Sequence, residues 1–283
     1  MRRRVSSRKI SQSPITDLFA RRVTGTDDAL STITALVSGL HHATVGRKTT
    51  ASLERYFAER RIENLTFAPL SCDGFIQPLG SRFNDGFQIV INNSLPATRV
   101  RFTLAHELCH TFFYEYVPEL KFTPHTPDRS EERLCNIGAS ELLMPRKSVM
   151  NDAREAQVCI KSLEDLARRY SVSAEAMLIR LRTLELWEAE LSTWAPNVHG
   201  TLTCRKITGA RKVAWNWLDD SLAQIWQTGQ MKSGRTFIEY INARGSRRLR
   251  PICYEMQRRR DHILILWGIW EKKSAETRLP LFA

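Results

Sequence analysis

Two histidines four residues apart, His106 and His110, place the tightest constraint on this 283-residue chain. They sit in a segment with an independent helical signature. Val100, Leu104, Leu108 and Phe112 recur every four residues, with Ala105, Cys109 and Phe113 beside them. The spacing predicts a core helix from about Pro96 or Ala97 to Tyr114. One helical turn then puts both imidazoles on one face, close enough to hold a single ion. Two histidines with a carboxylate between them are expensive on a core helix unless they have a purpose.

Glu107 follows His106 directly and can reach a metal-bound water without being a ligand. His106-Glu107-Leu108-Cys109-His110 is thus the His-Glu-x-x-His arrangement of zinc peptidases, with Glu107 as the expected catalytic base. A catalytic zinc needs a third protein ligand and one open position. The next helix is expected to start near Asp128, where Asp128 and Glu131 have capping-box spacing, and to end before Pro145. It offers Glu131, Glu132 and Glu141. Glu132 is the best third ligand, because Asn136 lies one turn further on the same face and is placed to hydrogen-bond a ligand histidine. Glu131 is assigned to the N-cap. His125, Tyr114 and Tyr116 are taken as loop or packing residues, and Cys109 as a small packing residue. Zinc is the default for two histidines and a glutamate, although manganese or iron suits the same ligands.

The surrounding chain divides by composition. Residues 1–50 are expected to be a basic tail running into a helix. Residues 51–63 have helical spacing, and Leu65 to Asn92 suggests two or three strands, with Phe87 to Asn92 as the edge strand that holds substrate. Residues 161–195 read as a helix-turn-helix segment. Beyond Pro196 the pattern turns strand-rich, with one helix at 219–228, and indicates a C-terminal α+β domain over 196–283. The fold class is therefore α+β. Net charge is +12, concentrated in the first nine residues and in Arg244 to Arg260. That balance suits acidic partners or nucleic acid without choosing between them. The segment where a recognition helix would start, Ser173-Ala174-Glu175-Ala176-Met177, has few donors for base edges and carries a carboxylate, so nucleic-acid contact is not favoured. No apolar run is long enough for a membrane span, and the basic N-terminus has no apolar stretch behind it, so a cytoplasmic location is expected.

RFTLAHELCHTFFY followed by ERLCNIGASELLMP resembles the ImmA/IrrE family of metallopeptidases, and the E-x-L-C-N run is similar to its IrrE-like branch. The likeness covers about residues 70–190. It implies a mostly helical zincin-like peptidase domain with a small β-sheet over about 51–160, with His106, His110 and Glu132 as ligands and Glu107 as base. It also implies a protein substrate of the XRE-type helix-turn-helix repressor class, and a GAF-like C-terminal domain. Cys109 departs from the pattern, because the family commonly has glycine or another small residue there.

Overall fold

Ser13 opens the first helix. Its hydroxyl accepts from the Thr16 N–H and Pro14 takes the first helical position, so α1 (Pro14–Thr24) starts there and ends at Gly25, whose φ is 69°. The computed structural model describes residues 13–45, 52–208, 212–214, 219–241 and 247–269. Its contacts divide the chain into two compact units, Met1–Pro145 and Arg146–Ala283. Residues 1–9 and 242–246 lie outside the described residues, as do Trp215, Trp217 and Trp270.

In the first unit α1 is followed by α2 (Ala29–Val45) and α3 (Glu54–Glu59). The helix expected over 51–63 is this shorter one. Arg61 takes a φ of 56°, and the chain then enters β1 (Ile62–Ala68). Strands β2 (Gly74–Pro78) and β3 (Phe87–Asn92) complete a sheet ordered β1-β3-β2, with β3 parallel to β1 and antiparallel to β2. The expectation that Phe87–Asn92 is an edge strand is thereby corrected. Its alternate residues Phe87, Ile89 and Ile91 are completely buried, and a strand so apolar is stable only between two neighbours. The free edge on the antiparallel side belongs to β2.

Helix α4 (Ala97–Tyr116) carries both histidines and packs against β2, β3 and α5 (Arg129–Leu143). Ile33 and Val37 of α2, Leu108 and Phe113 of α4, and Leu134 and Ala139 of α5 are buried in this unit's core. Phe19 of α1 stacks on Phe113 with ring centroids 4.4 Å apart. Gly138 lets α4 and α5 approach closely: a Cβ there would lie 2.7 Å from Cys109 Sγ. Cys109 is therefore a packing residue, and burial pushes its thiol up to about 12.

The second unit opens with α6 (Arg146–Ala153), α7 (Ile160–Tyr170) and α8 (Ala174–Thr183). Strands β4 (Ala189–Pro196), β5 (Leu202–Thr208), β6 (Lys212–Ala214), β7 (Lys232–Ile241), β8 (Arg247–Arg258) and β9 (Ile263–Ile269) form one antiparallel sheet ordered β5-β4-β9-β8-β7-β6, and α9 (Asp219–Thr228) lies between β6 and β7 in sequence. The period of two separates its faces. Ile252, Tyr254 and Met256 of β8 and Ile263, Ile265 and Trp267 of β9 pack with Leu222 and Ile225 of α9. The other face takes α7 and α8, and there Glu255 of β8 accepts a hydrogen bond from the Ile160 N–H at the start of α7. The class is mixed α+β. Among the described residues no helix is long and apolar enough to cross a membrane.

Candidate metal centre

Helix α4 presents His106 and His110 with their Nε2 atoms 3.2 Å apart. The N-terminal turn of α5 brings Glu132 to them. Its Oε2 lies 3.3 Å from His106 Nε2 and its Oε1 lies 3.6 Å from His110 Nε2. Asp128 fixes that turn, accepting from the Ser130 and Glu131 N–H groups as N-cap. Glu132 needs the early-helix position, where a carboxylate is favoured by the helix dipole and still reaches across to α4.

Four donors around a tetrahedral ion, each about 2.0–2.1 Å from it, are separated by roughly 3.3 Å. The three separations above match that spacing. One ligand atom each from His106, His110 and Glu132 lies within 4.8 Å of the others. The chemistry agrees with the geometry. Glu131 occupies Nδ1 of His110 at 2.7 Å, which leaves Nε2 as a lone pair facing another imidazole and a carboxylate. A set made only of acceptors needs a cation at its centre. Burial opposes charging His106, but the hydrogen bond to Glu132 and the charges of Glu107 and Glu132 outweigh it and raise its pKa.

Glu107 is buried beside this cluster and is not one of the three converging groups. Burial raises its pKa against the pull of His110 and His106. Its carboxylate accepts from the backbone N–H of Ile76, which lies on the free side of β2. Asn136 sits one turn along from Glu132. Its amide donates to the Glu132 carbonyl at 2.9 Å and also makes a side-chain hydrogen bond to His106.

Two residues have larger parts than their sequence positions suggest. Glu131 does not close a capping box. It is 0% exposed and turns inward to His110, while His125 Nε2 lies 3.1 Å from its Oε2. A carboxylate with no solvent must pair with donors, and two imidazoles serve it better than one backbone N–H. These hydrogen bonds prevail over burial and hold Glu131 below the usual carboxylate range. His125 is likewise more than a loop residue, since its Nδ1 lies 3.1 Å from the Tyr114 hydroxyl. The signal for this chain of contacts was weak in one dimension, because the long loop before α5 hides which residue folds back.

Residues 77–182 match the family described as the IrrE N-terminal-like domain. This segment is similar to an IrrE N-terminal-like domain. The chain is also similar to the radiation response metalloprotease IrrE of Deinococcus deserti, 35% identical over 124 residues, which are 41% of this chain and 42% of that protein. It is 30% identical over 125 residues to the protein of the same name from Deinococcus radiodurans, covering 42% of this chain and 36% of that one. The match thus spans about two fifths of those relatives' length. A solved Mycobacterium tuberculosis transcriptional regulator aligns over 90% of this chain and 79% of its own at a TM-score of 0.45 and 13% identity, a likeness too low to bear on function. The IrrE N-terminal-like segment contains His106, Glu107, His110 and Glu132, so the metal cluster lies inside the matched region.

Proposed function

We propose that this chain is a zinc-dependent endopeptidase, with His106, His110 and Glu132 as metal ligands and Glu107 as general base. The observation that carries the reading is the convergence of three ligand atoms beside a buried carboxylate that is not one of them. When bound, zinc supplies Lewis acidity at the scissile carbonyl. Glu107 takes the proton of the attacking water and returns it to the departing amine, a role suited to a carboxyl whose pKa burial has raised. Asn136 and Glu131 hold His106 and His110 in orientation. The β2 edge next to Glu107 receives the substrate backbone as an added strand, replacing β3 in that role.

The substrate class rests on the family resemblance. It is an intracellular XRE-type repressor, whose cleavage relieves transcription in a stress or mobile-element response. Zincin-like and GAF-like remain the readings for the two halves of the chain. In the second unit Trp194 and Trp267 are buried in the core with Trp226 packed against them, which supports a structural role for these aromatics over a ligand pocket. A DNA-binding role for α7 and α8 is disfavoured. Arg180 is buried, and Arg182 turns back to the Thr208 carbonyl and Glu190.

Incubating the full chain with an XRE-type repressor, one encoded beside its gene if there is one, tests the proposal. Cleavage is expected with zinc, and none with chelator or in Glu107→Gln, which retains its metal. An intact repressor in the zinc-loaded sample would remove the substrate assignment, and full turnover by Glu107→Gln would remove the base.

A further inference from the structure

Glu131 already carries one imidazole, with Nδ1 of His110 at 2.7 Å. His125 supplies a second. Its Nε2 lies 3.1 Å from Oε2 and 3.2 Å from Oε1 of the same carboxylate. An ionised carboxylate only accepts, so Nε2 of His125 carries a proton and donates it. The other ring nitrogen is engaged as well. Nδ1 of His125 lies 3.1 Å from the Tyr114 hydroxyl, whose oxygen also accepts from the His125 backbone N–H. The same hydroxyl reaches the Thr123 carbonyl at 3.2 Å. Tyr114 is buried one helical turn beyond His110 on α4, so it ties the loop to the helix that bears the histidines.

The loop that delivers His125 is strained. Lys121 and Phe122 have φ of 51° and 49°, in the left-handed region that residues with a Cβ avoid. Two such residues in succession persist only where their surroundings enforce them, and strain of this kind gathers at functional sites. Here the enforcing contacts are aromatic. The Phe122 ring lies 5.9 Å from that of Tyr114 and 6.5 Å from that of Phe87, centroid to centroid. From the shared carboxylate and the strained loop we infer that His125 is a positioning residue for the metal centre. It pins both oxygens of Glu131. The pinned carboxylate fixes the plane of the His110 imidazole and keeps its Nε2 turned toward His106 and Glu132. A carboxylate with one partner is free to swing about its last side-chain bond, and His110 would turn with it. The inference rests on the reading of His106, His110 and Glu132 as a zinc site.

The zinc affinity of the full chain, read by competition with a chromophoric chelator, tests this without proteolysis. His125→Ala should weaken zinc by about tenfold. Two further variants separate the contact from the packing of the ring. In His125→Gln the amide nitrogen lies as many bonds from Cβ as Nε2 does, so it still donates to Glu131. In His125→Asn the amide stops at the position of Nδ1, where it meets Tyr114 and falls short of Glu131. Both variants lose the ring. The glutamine variant should hold zinc within about threefold of the parent chain, and the asparagine variant should be as weak as the alanine one. If the ring only props up the loop, the two amides weaken zinc alike and the inference falls. Parent-like affinity in His125→Ala also overturns it and leaves the zinc site standing. A parent chain that binds no zinc removes the site itself, and the inference with it.

Discussion

Nδ1 of His110 lies 2.7 Å from a carboxylate oxygen of Glu131, and Glu131 has no exposure to solvent. That contact decides which nitrogen of His110 is left for a metal, and it reaches outward through His125 to Tyr114. Replacing Glu131 with glutamine keeps an acceptor but removes the charge that makes the imidazole a strong donor. Zinc affinity should fall by about 10- to 100-fold, read by competition with a chromophoric chelator. An affinity within about twofold of the parent chain would mean that Glu131 only fills space.

Metal and proton compete for His106. Its pKa is raised because Glu132 and Glu107 outweigh the effect of burial. Zinc affinity should therefore begin to fall, as the pH is lowered, at a pH above the ordinary histidine value of about 6.5. The metal-free protein should show the opposite linkage. The proton on His106 stabilises the fold fully below the unfolded pKa, and that contribution is lost as pH rises through the higher folded value. Urea melts of the metal-free chain between pH 5 and 8, compared with those of His106→Gln, isolate this contribution. Parallel pH dependences in the two proteins would contradict it.

Gly138→Ala should destabilise the first unit by about 1–3 kcal/mol, because the added methyl meets Cys109 Sγ in a core with no spare room. Cys109→Ala in the same chain should recover a large part of that loss. Denaturant melts of the four members of the cycle give the coupling directly, and strictly additive effects would show that the two side chains do not compete.

In the second unit, Glu255 is buried against the start of α7, and burial raises its pKa. The sign follows from the direction. Its contribution is complete below the unfolded carboxylate value near 4.3 and is lost as pH rises through the folded one. Glu255→Gln retains an acceptor for the Ile160 N–H but has no charge to desolvate. The variant should be at least as stable as the parent at pH 8, with a flatter pH profile, as followed by the unfolding midpoint.

The convergence of His106, His110 and Glu132 was legible because helical periodicity converts a spacing of four into a shared face, and because Glu132 and Asn136 repeat that logic on α5. The mixed α+β class followed from the change of period near residue 196. Non-local pairing was hidden. Nothing local distinguishes the central strand Phe87–Asn92 from an edge, since order in a sheet is set by which strands meet across a fold. Glu131 was misplaced for a related reason. Its spacing to Asp128 satisfies a rule for helix starts, while its actual partners, His110 and His125, come from a helix and a loop earlier in the chain.

Cys109 and Gly138 occupy, between them, one side chain's worth of space. A larger residue at 109 leaves even less room at 138, and a smaller one at 109 opens space there for a methyl group. The two positions therefore share one allowance of volume, and growth at either is tolerated only when the other shrinks.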